Sequence, residues 1–432
     1  MENTYLKTLG AVFMLLLLLS ITFNFVIDPY RIYTGPRIDS INKIKPEMDT
    51  HLRMAKAWIV YDKKPDRIIS GSSRADYGLN PEHEGWGGKG VYNLGLSGGN
   101  MYEVLRYFQH AHAINPLKQV VLSVDFYMFN TYYKNTPDFS ENRFVVTFEG
   151  VENPSFCYIN KYTSLFSFDT LLSSITTVKS QKRPYFYEPP HMENGQRHWT
   201  NRETYIPVAG GHHNFFLANE FAHMKSWYLI RPNYKYSFSD PETGESRLDH
   251  FRKYLEIAYK DNVDLRILIS PSHARLWEVI SAIGLWDIYE EWKRELVRIN
   301  EEVAQKYGVP AFSLWDFSGY NKYTTEELPA LGDLNSKMKW YWEDDHYKNA
   351  LGDLVLDQIF HIKPGESGFN KNSKIQQGLT EYFGIVLTSK NIENHLKEIR
   401  RAQHHYRITH KSDFAEIKDL AEKVISERSH PR

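Results

Sequence analysis

The chain has 432 residues, 42% of them hydrophobic, 24% charged and 15% aromatic, and its 52 basic side chains almost balance 53 acidic ones. That length holds one large domain with insertions or two domains, and the near-zero charge excludes a general nucleic-acid binder. Cys157, the single cysteine, excludes an intrachain disulfide, and no zinc-ribbon or finger spacing is present.

After a short flank at 1–8, residues Leu9–Ile27 form an almost unbroken apolar run, LGAVFMLLLLLSITFNFVI. It is close to the roughly 20 residues that cross a bilayer as a helix. Ser20, Thr22 and Asn24 are its only polar side chains, and no small-residue cleavage signal follows, so an uncleaved signal anchor is expected in contact with inner-membrane lipid. Orientation is conflicted. Arg31, Arg37, Lys43 and Lys45 after the run outweigh Lys7 before it, which favours a cytoplasmic body. A short N-terminus before a long domain instead favours export, and long domains translocate largely regardless of charge. The expected arrangement is a single-pass protein with an extracytoplasmic, periplasmic body.

Residues 28–46 are polar and turn-rich and read as a stalk; Glu47–Asp62 has helical spacing. Five strands are then expected: Arg67–Ser70, Gly90–Leu94, Gln119–Phe126, Asp264–Ser270 and Val309–Leu314. Helical patterns at Tyr102–Ile114, Arg247–Asn262 and Ala274–Tyr307, the last broken near Gly284, separate most of them. Continuous apolar strands alternating with helices indicate a mostly parallel five-stranded sheet with helices on both faces, a flavodoxin-like three-layer α/β/α body over 47–363. An aromatic-rich stretch at about 130–246 breaks the rhythm and reads as an insertion forming a lid or partner surface. Residues 364–432 read as a polar linker at Gly365–Lys374 and an appended charged helical tail, Asn391–Tyr406 and Ser412–Arg428, without a strong apolar face. Lys397, Arg400, Arg401, His404 and His405 make a basic patch there, either a solvated face or a contact for anionic lipid or glycan.

Two stretches carry chemistry. Asp66–Pro81, DRIISGSSRADYGLNP, is a strand opening into Gly71-Ser72-Ser73-Arg74, where a serine can act as a nucleophile or simply cap a turn. Tyr341–Asp353, YWEDDHYKNALGD, places His346 in a loop just before an apolar helix, three residues after Glu343. A carboxylate at that spacing can orient the imidazole and stabilise its charged form. Other polar candidates are Arg74, which clamps an anion or pairs with a local acid, and His273 and Arg275, which follow the fourth strand on the same sheet edge. No cofactor or metal is expected. Gly95–Asn100 lacks the Gly-Lys-Ser/Thr ending of a P-loop, His212-His213 lacks a third ligand at a suggestive spacing, and His110 and His112 lie on different helix faces.

With both stretches in view, the chain resembles the SGNH (GDSL-like) hydrolase superfamily. Within it, the chain looks like the membrane-anchored extracytoplasmic branch that includes the alginate O-acetylation and teichoic-acid D-alanylation proteins. The resemblance covers Asp66–Phe360 without the insertion. It implies Ser73 as nucleophile, with Glu343 and His346 as the acid-x-x-His pair. It makes Ser73 and Gly98, the latter in Asn93-Leu94-Gly95-Leu96-Ser97-Gly98, the oxyanion donors. Arg74, Asn100, Asp125, His273 and Arg275 are then candidate substrate contacts. The departure is Asp125: the superfamily has Gly-x-Asn-Asp after the third strand, and here no asparagine appears until Asn130. An ionised Asp125 would repel an oxyanion, and losing one donor costs on the order of 10²–10³ in rate. The implied function is a serine esterase or O-acyltransferase acting on an acylated cell-envelope or exported polysaccharide, or on a small acyl donor. The alternative is a catalytically degenerate binding or assembly protein partnering a multi-pass membrane acyltransferase.

Overall fold

The computed structural model describes residues 2–429 except 34, 89, 182–190, 199, 233 and 362–382. The linker expected at Gly365–Lys374 lies outside the described residues. The first helix, α1 (Glu2–Ile27), presents Leu9, Phe13, Leu16 and Leu19 outward and is long and apolar enough to span a membrane, consistent with single-pass anchoring. Its last turns are not free. Asn24 donates to the Leu165 carbonyl and accepts from Ser174 Oγ.

The segment after α1 is not the polar stalk expected. Asp28 accepts the backbone N–H groups of Ile32 and Tyr33, folding the chain back on itself. Tyr30, Ile32 and Tyr33 bury against Trp58 and Leu165. A 3₁₀ turn at Pro46–His51 leads into α2 (Leu52–Lys63).

The elements that follow are β1 (Arg67–Ser70), α3 (Ser73–Gly78), β2 (Val91–Asn93), α4 (Met101–Ile114) and β3 (Gln119–Val124). Next come α5 (Phe168–Ser180), α6 (Thr200–Val208) and α7 (His212–His223), all inside the expected insertion. The chain continues with α8 (Arg247–Lys260), β4 (Asp264–Ile269), α9 (Ala274–Ala282), α10 (Trp286–Tyr307), β5 (Leu314–Asp316) and α11 (Asn349–Ile359). It ends with β6 (Ile385–Val386), α12 (Ile392–Thr409) and α13 (Lys411–Ser429).

Among the described residues the sheet has six strands in the order β2-β1-β3-β4-β5-β6, one more than expected; five run parallel, and β6 pairs antiparallel to β5. Alternate residues of the strands feed two separate apolar clusters, as the two-residue side-chain period requires. Ile68, Val120, Leu122, Ile267 and Ile269 pack with α2, α4, α8 and α10, while Ile69, Val121 and Leu268 pack with α3 and α11. β5 begins later than the apolar run Val309–Leu314 suggests. Pro310 has no N–H to give to a ladder, and residues 309–311 are exposed.

The C-terminal helices also depart from expectation. Leu396, Ile399 and Tyr406 of α12 and Ile417, Ala421 and Val424 of α13 are buried, most of them in the same cluster as Leu314 and Trp292. α13 packs on α9 and α7. Of the expected basic patch, Arg400 pairs with Glu290 and Arg401 with Glu398.

Candidate active site

Ser73 opens α3 directly after β1, in a turn that Gly71 makes possible. Gly71 sits at φ +150°, and a Cβ there would lie 2.7 Å from the Ser123 carbonyl oxygen, so no larger residue fits between β1 and β3. Ser72 accepts the Arg74 N–H as the helix cap and donates to Asp125 Oδ2 at 2.5 Å. Its hydroxyl is spent, which leaves Ser73 as the serine free to face the site. α3 is pinned from behind by buried Lys56, whose ammonium donates to Asp76 Oδ1 and to the Asn93 and Gly95 carbonyls.

His346 reaches the same point from the far end of the chain. Its loop is closed by a bridge between Tyr341 and Tyr347, and it is held to the β4 loop by a hydrogen bond from the His273 N–H to the Asp344 carbonyl. His346 Nε2 lies 2.7 Å from Ser73 Oγ, and Nδ1 lies 2.5 Å from Glu343 Oε1. Arg202 Nη2, a donor, stands 3.2 Å from Nδ1, but the closer Glu343 carboxylate only accepts and takes precedence, so Nδ1 carries the proton and Nε2 is left to accept from the serine hydroxyl. Glu343 is fixed in turn: Oε2 takes the N–H groups of Asp345 and His346, and Oε1 also meets Arg202 Nη1 at 2.8 Å. Asp345 Oδ1 stands 2.8 Å from Nδ1 but out of hydrogen-bond alignment, and acts as a charge neighbour.

These charges set the imidazole. Burial disfavours its charged form, but Asp345 and Glu343 outweigh burial and raise His346 above 6.5, with Arg202 pulling the other way. Burial likewise opposes ionisation of Asp345; His346, His223 and Arg74 overcome it and hold that carboxyl well below the usual range. Its neighbour Asp344 is pushed up to about 7 by burial, against the pull of His223 Nδ1 at 2.9 Å.

The loops after β1 and β2 run side by side, joined by the Leu96 N–H to the Gly71 carbonyl and a bridge between Ser72 and Leu96. Gly98 follows at φ +59°, its carbonyl accepting the Tyr133 hydroxyl at 2.9 Å.

The structure does not leave the expected substrate contacts free. Arg74 is buried and donates to Asp125 Oδ1 at 2.8 Å and Asp345 Oδ2 at 3.4 Å, with its guanidinium over the Tyr127 and Trp227 rings. Asp125 is spent on Ser72 and Arg74, so its charge is compensated rather than turned on the site. Asn100 caps α4 through the Glu103 N–H and donates to Asn135 Oδ1 and the Tyr133 carbonyl. His273 accepts the Arg275 N–H as the cap of α9 and donates to the Glu326 carbonyl; its burial lowers it to about 3. Arg275 is buried in a two-pronged pair with Glu220, with Glu416 of α13 at 3.2 Å. These five are buried and serve as caps and ion pairs within the protein, although Arg74 Nη2 has no hydrogen-bond partner among the described residues.

Three side chains that sequence reasoning missed stand at the site. The Tyr77 ring meets His346 edge-on at 5.0 Å, with Arg202 at 4.9 Å and Arg197 at 5.2 Å from its centre. Tyr77 lies four residues after Ser73 on one helix face and was in principle legible. Arg197 and Arg202 come from the insertion and had no local signal. Two carboxylate–histidine groups have ligand spacing for a cation, His223-Asp344-Asp345 and Glu343-Asp345-His346. Arg74 and Arg202 already supply positive charge at both, which is what a cation would otherwise bring.

No protein-family model matches the chain, and a search of curated proteins returns no match.

Proposed function

We propose that the chain is a membrane-anchored serine esterase or O-acyltransferase of SGNH type, with a flavodoxin-like three-layer α/β/α body. The observation that carries this reading is the continuous chain of hydrogen bonds from Ser73 Oγ through His346 to Glu343. Ser73 Oγ attacks an ester or thioester carbonyl while its proton passes to His346 Nε2. The N–H groups of Ser73 and Gly98 hold the resulting oxyanion. Collapse expels the alcohol or thiol, which leaves with the proton from His346. A sugar hydroxyl or water, deprotonated by the same nitrogen, then takes the acyl group from Ser73. Glu343 keeps the tautomer and stabilises the imidazolium.

The substrate class that fits is an acylated cell-envelope or exported polysaccharide, or a small acyl donor serving one. The body then lies on the extracytoplasmic side of a bacterial cytoplasmic membrane, where a multi-pass acyltransferase is a natural partner. An acetyl ester of p-nitrophenol tests the chemistry: a burst of one nitrophenolate per chain, absent in Ser73→Ala, is expected. A steady rate that Ser73→Ala leaves unchanged would contradict it.

A second reading has its own observation. Asp125 stands where the superfamily carries the asparagine donor, and it is committed to Ser72 and Arg74. A binding or assembly protein that keeps the fold without turnover would tolerate that exchange.

A further inference from the structure

A cavity of about 340 Å³ opens where α1 ends, lined by Asp28, Arg31, Arg37, Lys45, Lys63 and Glu193 among others. Its charges are unevenly matched. Lys45 Nζ donates to the Ile27 carbonyl, the last residue of α1, and Asp28 is occupied by two backbone N–H groups. Asp62, also on the wall, is taken by Lys161. That leaves Arg31, Arg37 and Lys63 converging on one carboxylate: Arg31 at 2.9 Å, Lys63 at 3.7 Å and Arg37 in direct contact. The carboxylate is Glu193, whose side chain is 65% exposed. Three cations around one solvated acid make a site for a second anion, or for one that displaces Glu193.

Position selects the anion. If α1 spans the bilayer, the cavity stands at the boundary where the hydrocarbon ends and lipid phosphates lie. Tyr33 is among its lining residues, of the residue type enriched at that level. We infer that the Arg31–Arg37–Lys63 cavity binds the phosphate of an anionic phospholipid headgroup and so fixes the height and tilt of the body on the membrane. Arg31 is the rigid member, since its Nη1 also donates to the His191 and Met192 carbonyls; Arg37 is the adaptable one. The inference rests on α1 being the anchor.

The test uses the full chain in neutral detergent micelles doped with phosphatidylglycerol, phosphatidylcholine or inorganic phosphate. Phosphatidylglycerol is expected to raise the thermal midpoint by roughly 2–4 °C, and phosphatidylcholine to leave it unchanged. Arg37→Glu should abolish the rise, and Glu193→Gln, which frees the cations, should lower the phosphatidylglycerol concentration needed. Equal shifts with the two lipids, or an unchanged requirement in Glu193→Gln, would overturn the site. A shift of the same size with inorganic phosphate at equal concentration would overturn the lipid as its ligand. Carbonate washing of membranes reads the anchor separately: release of the chain overturns the anchor, whereas retention without headgroup preference overturns the cavity alone.

Discussion

Ser73 Oγ and His346 Nε2 lie 2.7 Å apart although 273 positions separate them in the chain. β1 and the α11-proximal loop meet because parallel strands deliver their carboxyl ends to one edge of the sheet. The imidazole is held by Glu343 on one side and presented to a single hydroxyl on the other.

Glu343 is expected to matter through the tautomer. Glu343→Gln leaves the packing intact but offers Nδ1 a donor as readily as an acceptor. The turnover number should fall by a factor on the order of 10⁴, with the Michaelis constant little changed. Steady-state kinetics on a soluble ester checks this.

The pH profile follows from the charges around His346. The base form exists only above its pKa, which lies above 6.5, so kcat/KM should rise with pH through a midpoint above 6.5. Glu343→Gln removes a group that raises that pKa and moves the limb down. Arg202→Ala removes a group that lowers it and moves the limb up. The stability carried by protonated His346 has the matching sign: full below 6.5, and lost as pH rises through the folded-state value. Profiles of the two variants moving the same way would contradict the assignment.

Arg74 is predicted to hold the fold rather than the substrate. Arg74→Ala strands Asp125 and Asp345 in the interior. Breaking a buried pair costs about 3–5 kcal/mol, so urea unfolding should shift by that order. Retained stability with a raised Michaelis constant would restore it as a substrate contact.

Acid should weaken the protein through three histidines buried neutral. Burial lowers His110 to about 4 and His250 and His273 to about 3. The unfolded chain takes up protons near 6.5 and the folded one does not. Stability therefore falls as pH drops from 6.5 toward those values, by about 1.4 kcal/mol per unit for each histidine. Urea midpoints at several pH values should show a shallower slope for His110→Gln than for the parent chain.

The parts of the fold legible in the sequence are those whose signal is local. The run Arg67–Ser70 ending in Gly71 reads as a strand and a turn, and the structure has β1 over the same residues. The C-terminal helices were misread because the apolar stripe of α12 is thin. Ile392, Leu396, Ile399 and Tyr406 recur at helical spacing among Lys397, Arg400, Arg401, His404 and His405, and the charges dominate any average. β6 was missed because two residues cannot show a period. At the site, Glu343 and His346 stood out by residue type and spacing, whereas the choice of Ser73 over Ser72 came only from the resemblance. Arg74, Asn100, Asp125, His273 and Arg275 were candidate substrate contacts, with pairing to a local acid left open for Arg74, and the structure gives each of them protein partners; a polar residue at a strand end looks the same from sequence whether it faces a ligand or a buried partner. Arg202 reaches Glu343 only through tertiary packing of the insertion.

The most direct measurement is labelling of the intact chain with a fluorophosphonate, which forms a covalent bond only with a serine activated by its base. The account predicts one adduct per chain, located on Ser73 by peptide mass and lost in both Ser73→Ala and His346→Ala. Folded protein that takes up no label, or takes it up on another residue, would contradict it.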